Sequence, residues 1–201
     1  MFKGKLGALL PFDEAALPLV RDWINDEEVR RGTGTEGPVS DWEHRRWYAS
    51  VMEDPAQRIF LIAQGNGNEA NVVGALGLRG INWRSRHAEY WIYLGDRLVR
   101  GKGLAEEASR LLLRFAFGTL GLHRVFLQVN VTNQSAIRLY RRLGFVEEGL
   151  LRAAVFADGC FVDRLLFSML AHECPPFPGS SVVQSTFVAG VSRVSEDDYD
   201  R

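Results

Sequence analysis

The sequence predicts an α/β domain over residues 1–172, with a mixed sheet that is antiparallel at both ends, followed by a separate tail over 173–201. Three observations predict it. Strand-like and helix-like runs alternate along most of the chain. A strand–helix–strand unit spans 86–131, and such a unit pairs its strands in parallel through a crossover. Two hairpins flank it, one at 58–79 and one at 145–170 across an Ala-Asp-Gly turn.

A short apolar run near the N-terminus is followed by a helix that begins near Asp13. There Leu17, Val20, Ile24 and Val29 fall near helical spacing, opposite Arg21, Asp22 and Glu27. Arg-Arg-Gly-Thr-Gly-Thr-Glu-Gly-Pro (30–38) then breaks the chain. Ser40-Asp-Trp-Glu43 is a capping box and opens a second helix through Trp47 to about Met52, with Pro55 just beyond. RIFLIAQ (58–64), a GNGNEAN turn and VVGALGLR (72–79) form the first hairpin, and RHAEYWIYLG (86–95) is a strand rich in aromatic residues. Leu104, Ala108, Leu111, Leu112, Phe115 and Ala116 trace a helical stripe that ends around Gly118 to Gly121. HRVFLQVNV (123–131) is a strand, and NQSAIRLYRRLG (133–144) is a helix stopped by Gly144. The tail is Pro/Ser/Gly-rich, then Val-rich, then acidic. It reads as a segment outside the core, or as one that pairs with the sheet edge of this chain or of a partner in a homodimer.

A net charge of −1 gives no field that would draw nucleic acid or an anionic membrane. No apolar stretch reaches membrane-spanning length, and acids interrupt the first apolar run before it reaches the length of a signal peptide. Cys160 and Cys174 form neither a metal spacing nor a disulfide framework, so a reduced cytoplasmic setting and no metal are expected.

The run Arg100-Gly-Lys-Gly-Leu-Ala105 sits between a strand and a helix. A dinucleotide loop requires a third glycine where Glu106 stands, and a nucleoside-triphosphate loop requires Ser or Thr where Gly103 stands. The form Arg-x-x-Gly-x-Ala does suit a pyrophosphate, because bare backbone N–H groups and a helix N-terminus face the anion. An exposed turn has the same composition, and on this run alone both readings stay open. About thirty residues later comes Asn133-x-x-Ala136-x-x-x-Tyr140-x-x-x-Gly144-Phe145. With both motifs in this order, the chain resembles the GNAT superfamily of acyl-CoA-dependent N-acyltransferases over residues 5–172, near its ribosomal-protein N-terminal, polyamine and amino-sugar branches.

The resemblance implies a central sheet that is mostly antiparallel, splayed parallel strands in its middle and helices on both faces. It implies direct acetyl transfer from acetyl-CoA to a primary amine, which would be a protein N-terminus or a small amine such as an amino sugar. The pantetheine arm would lie along the backbone of Ile92, Tyr93 and Leu94. The pyrophosphate would rest on Arg100, Gly101, Lys102, Gly103, Leu104 and Ala105. Asn133 would hold the arm, cap its helix, or do both. Tyr140 would be the general acid, set against an ordinary buried tyrosine. For the base the resemblance offers Glu89, eleven positions before Arg100, and a partly buried glutamate on the same face as Trp91 and Tyr93 suits the task. A structural carboxylate is the equal alternative, and His87 or a water also stays open. Another branch carries its base at the position of Gln128, which takes no proton at working pH. The charges of the acceptor segments are mixed and do not choose the amine. A CoA-binding sensor or assembly module of the same fold is the other functional class.

Overall fold

The computed structural model describes residues 1–33, 37–65, 70–157 and 159–175. Residues 34–36 of the expected 30–38 break, residues 66–69 of the expected GNGNEAN turn, Asp158 of the Ala-Asp-Gly turn and the tail from 176 therefore lie outside the described residues. The strands are β1 (Phe2–Lys3), β2 (Gly7–Pro11), β3 (Arg58–Gln64), β4 (Asn71–Asn82), β5 (His87–Leu94), β6 (Arg124–Asn130), β7 (Val146–Ala157) and β8 (Cys160–Leu170). The helices are α1 (Leu17–Asn25), α2 (Glu27–Thr33), α3 (Asp41–Glu53), α4 (Leu104–Arg114) and α5 (Gln134–Leu143). One sheet runs in the order β1-β2-β3-β4-β5-β6-β8-β7. Every neighbouring pair is antiparallel except β5 and β6.

Local chemistry explains most boundaries. Ser40 accepts from the Glu43 backbone N–H, and Glu43 reaches back to the Ser40 N–H at 2.9 Å, so the capping box forms and α3 starts where expected. The single helix expected from Asp13 onward is two helices. Asp26 is extended at φ −67°, ψ 131°, and its Oδ1 accepts from the backbone N–H groups of Glu28 and Val29. That is an N-cap, so a new helix begins there and continues through Arg30, Arg31 and Gly32, which the sequence reading had placed in a loop. Gly144 closes α5 at φ +98°, and the Phe145 N–H bonds back to the Tyr140 carbonyl at 3.0 Å. This turn sets Phe145 against the ring of Tyr140.

The sheet is covered on both faces. Beneath α4 and α5 lie Leu76, Leu78, Tyr90, Leu112, Val125, Leu127, Tyr140 and Phe167. Beneath α1 and α3 lie Phe12, Leu17, Val20, Val51, Ile59, Leu61 and Ala75, with Trp23, Trp91 and Tyr93 against them. The twofold alternation of β5 therefore sends Tyr90, Ile92 and Leu94 to the α4/α5 face and Trp91 and Tyr93 to the other. Glu107 ties the N-terminal strands to α4 by accepting from the backbone N–H groups of Lys5, Leu6 and Gly7 at 2.7, 2.8 and 3.0 Å.

Strands β5 and β6 pair only through His87–Arg124, Ala88–Val125 and Glu89–Phe126. Beyond that point β5 stays with β4 as far as Leu94, and β6 stays with β8 as far as Asn130. The sheet opens into a V between Tyr90–Leu94 and Leu127–Asn130, which is the splay expected in its middle.

Candidate active site

The V leaves two clefts on opposite faces of the sheet, of about 670 Å³ on the α4/α5 side and about 650 Å³ on the α1–α3 side. Ile92, Tyr93, Gln128, Tyr140 and Arg164 line both, so the clefts meet at the gap between the strands.

The first cleft contains most of the expected phosphate loop. Gly101 and Gly103 have φ of +75° and +85°, a left-handed backbone that suits glycine. No atom lies within 4 Å of where a Gly101 side chain would begin, so the loop presents open backbone. Gly103 is the N-cap of α4, and no side chain caps that helix. Its first N–H groups and positive dipole end are left to face an anion. The cleft therefore combines a loop of open backbone at a helix N-terminus with the edge of β5 that β6 leaves.

Individual residues depart from expectation. Arg100 lines the cleft, yet its guanidinium pairs with Glu28 of α2 and donates to the Leu94 carbonyl at 2.9 Å. It buttresses the loop, and it occupies a backbone acceptor that the arm was expected to use. Arg97 ties the same turn to α2 through Asp26 at 2.9 Å, and this partner holds the Asp26 carboxyl below its usual range. Lys102 is exposed and the side chain of Leu104 is buried in the core, and neither is among the residues that line the cleft. Gly101, Gly103, Ala105, Ile92, Tyr93, Leu94 and Asn133 all line this cleft. Asn133 is the α5 cap: its Oδ1 accepts from the Ala136 N–H at 3.1 Å and from the Ser135 hydroxyl at 3.0 Å.

Tyr140 is 7% exposed and lies at the gap. Its ring meets Tyr90 and Phe145 at 6.0 Å and Phe167 at 6.3 Å, a box that fixes its direction. Its hydroxyl has no hydrogen bond among the described residues, and burial pushes its pKa up to about 12. Tyr90, deeper on the same face, is satisfied by the Ser109 hydroxyl at 2.6 Å.

Glu89 lines the second cleft, as a base would. It is not an isolated carboxylate among aromatics, however. Arg79, its cross-strand neighbour on β4, grips both oxygens at 2.7 and 2.9 Å. His87 lies at the closed end of the V and lines neither cleft. Arg79 carries no local signal in the sequence, because its importance depends on strand register, which composition does not show. His44 reads from the sequence as a surface residue, but it is 2% exposed, stacks on Trp47 at 5.2 Å and lines the second cleft. Its pKa is lowered by burial first and then by Arg21, against Asp41. Only its place on the inward stripe of α3 could have signalled this.

A family model described as an acetyltransferase (GNAT) domain matches residues 8–146. The chain belongs to the GNAT acetyltransferases. The spermidine N(1)-acetyltransferase of Escherichia coli is 30% identical over 165 residues, 82% of this chain and 86% of that protein. A putative ribosomal N-acetyltransferase of Bacillus subtilis is 30% identical over 143 residues, 70% and 71% of the two chains. Among solved structures, the spermidine N-acetyltransferase of Vibrio cholerae in complex with CoA and spermine superposes with a TM-score of 0.79 at 28% identity. It covers 85% of this chain and 98% of that one. The activity of this GNAT chain is acetyl transfer from acetyl-CoA to an amine. No helix among the described residues is long and apolar enough to cross a membrane. The Vibrio enzyme has also been solved with manganese ions, and among the described residues here no group of three metal-ligating side chains comes together.

Proposed function

We propose that the acetyl group passes directly from acetyl-CoA to a primary amine in a ternary complex at the gap. The donor would lie in the α4/α5 cleft and the amine in the α1–α3 cleft. One observation carries this reading: two clefts on opposite faces of the sheet meet beside the hydroxyl of Tyr140, which has no partner among the described residues. Ile92, Tyr93, Gly101 to Ala105 and Asn133 would hold the donor, with Arg100 bracing the loop. The relatives' names give a small polyamine or a ribosomal protein as acceptor, and a primary amine is what these share.

In the reaction the neutral amine attacks the acetyl carbonyl, the C–N bond forms and the C–S bond breaks. Sulfur leaves with the electron pair, and the Tyr140 hydroxyl donates a hydrogen bond to it. Water in the open acceptor cleft takes the amine proton. Glu89, held by Arg79, sets the electrostatics of that cleft and is assigned no proton. The only cysteines are Cys160, exposed at the far end of β8, and Cys174, and neither lines a cleft, so no thiol stands ready to carry an acyl group. A cytoplasmic setting fits these two unpaired cysteines. A homodimer fits the exposed apolar side chains Leu150, Phe156 and Phe161 on the outer hairpin. Initial rates over both substrates test the transfer: intersecting double-reciprocal lines support a ternary complex, and parallel lines would indicate an acyl-enzyme and refute it.

A further inference from the structure

Besides His44, the described residues that line the acceptor cleft include four charged ones: Glu43, Arg79, Glu89 and Arg164. Three have their charge offset within the fold. Glu89 and Arg79 form the bidentate pair. Glu43 sits in the capping box at the positive end of α3 and accepts from Ser40 through both its N–H and its hydroxyl. Arg164 is different. Its Nε donates to Asn130 Oδ1 at 3.0 Å, and among the described residues neither terminal nitrogen has a partner and no carboxylate pairs with it.

Strand register fixes where this charge is. Arg164 on β8 stands opposite Asn130 on β6, which shares a face with Gln128 and Phe126; Phe126 stands opposite Glu89. By strand alternation that is the acceptor face, although Asn130 itself lines the donor cleft. Arg164 also lines both clefts, so it reaches the gap where Tyr140 lies. A half-buried guanidinium with its terminal fork open matches a carboxylate in two parallel hydrogen bonds. Around it Trp47, Trp91 and Tyr93 give the cleft an apolar wall.

Building on the acetyltransfer reading above, we propose that the acceptor is an amine that carries a carboxylate, bound by Arg164 while the amine nitrogen stands at the gap. The carboxylate belongs either to a free amino acid or to the acidic N-terminus of a peptide. A polyamine would bring its further ammonium groups towards Arg164 and find both glutamates of this lining already engaged.

The test follows CoA thiol release by the full chain with phenylalanine against phenylalaninamide, Asp-Phe-amide against Asn-Phe-amide, and spermidine. Referred to the fraction of neutral amine at the assay pH, one acid is expected to exceed its amide in kcat/KM by about tenfold or more, as a charge-assisted hydrogen bond implies. The pair that shows the effect identifies the source of the carboxylate. Arg164→Met is expected to erase the preference without changing the KM for acetyl-CoA, and Arg164→Lys to keep part of it. Equal rates for acid and amide in the wild type, or a preference for spermidine, would overturn the proposal even if Arg164→Met does not fold. So would an Arg164→Met effect confined to the acetyl-CoA KM. If acetyl-CoA raises the melting temperature but acid and amide do not differ, only this proposal fails. If no amine releases thiol and acetyl-CoA produces no shift, the acetyltransfer reading fails with it.

Discussion

Replacing Tyr140 by phenylalanine removes one oxygen from a site where the ring is boxed by Tyr90, Phe145 and Phe167 and the hydroxyl has no partner among the described residues. Because no hydrogen bond of the fold is lost, the melting temperature should change little. The catalytic effect should be larger. With a pKa pushed up to about 12, the phenol is a weaker acid than a thiol near 8.5 by a gap worth roughly 5 kcal/mol. Complete proton transfer to the departing sulfur is therefore uphill, and the hydroxyl acts by hydrogen-bonding the thiolate as charge develops. Such a charge-assisted bond contributes about 1.5–3 kcal/mol, so kcat should fall roughly 10- to 150-fold with KM values little changed. The pH–rate profile of the wild type should rise as the amine deprotonates and show no falling limb up to pH 10, since the phenol keeps its proton there. The assay is CoA thiol release at saturating acetyl-CoA. An unchanged kcat in Tyr140→Phe would refute the role, and an alkaline limb near pH 9 that the substitution removes would refute the burial argument.

Three further outcomes are expected. Glu89→Gln should lower kcat by less than about tenfold and leave the rising limb of the pH profile in place; losing that limb would restore Glu89 as the base. Glu107→Ala leaves three backbone N–H groups at the β1–β2 turn without their shared acceptor, and should cost about 1–3 kcal/mol in denaturant unfolding; an unchanged midpoint would contradict it. His44 is held below its ordinary 6.5 by burial, so the unfolded chain binds its proton more readily. Stability should then fall as pH drops through about 6.5, and His44→Gln should flatten that slope; a wild-type slope that persists in the variant would count against it.

Much of the fold was legible because its signals are local. Ser40 with Glu43, Gly144, and the glycines at 101 and 103 each mark a boundary through their own backbone chemistry, and the structure has all of them where expected. Strand periodicity placed Glu89 on the same face as Trp91 and Tyr93. The break at Asp26 escaped notice because apolar spacing continues across it, and only the side-chain bonds to Glu28 and Val29 reveal a cap. Arg100 belongs to the loop motif, but the partners that engage it, Glu28 and Leu94, come from other elements. Arg79 and Arg164 depend on register across strands, which no pattern along a single segment contains.

The most direct test is thermal unfolding of the wild type and of Gly103→Trp, each with and without acetyl-CoA. A ligand held by the folded cleft at a hundredfold excess over its dissociation constant stabilises by about 2.7 kcal/mol, so the wild type should shift upward by several degrees. A tryptophan at 103 would start against Leu6 on a left-handed backbone that strains any side chain, so it should distort the loop and abolish that shift. No shift in the wild type, or an equal shift in Gly103→Trp, would contradict acetyl-CoA binding on this loop.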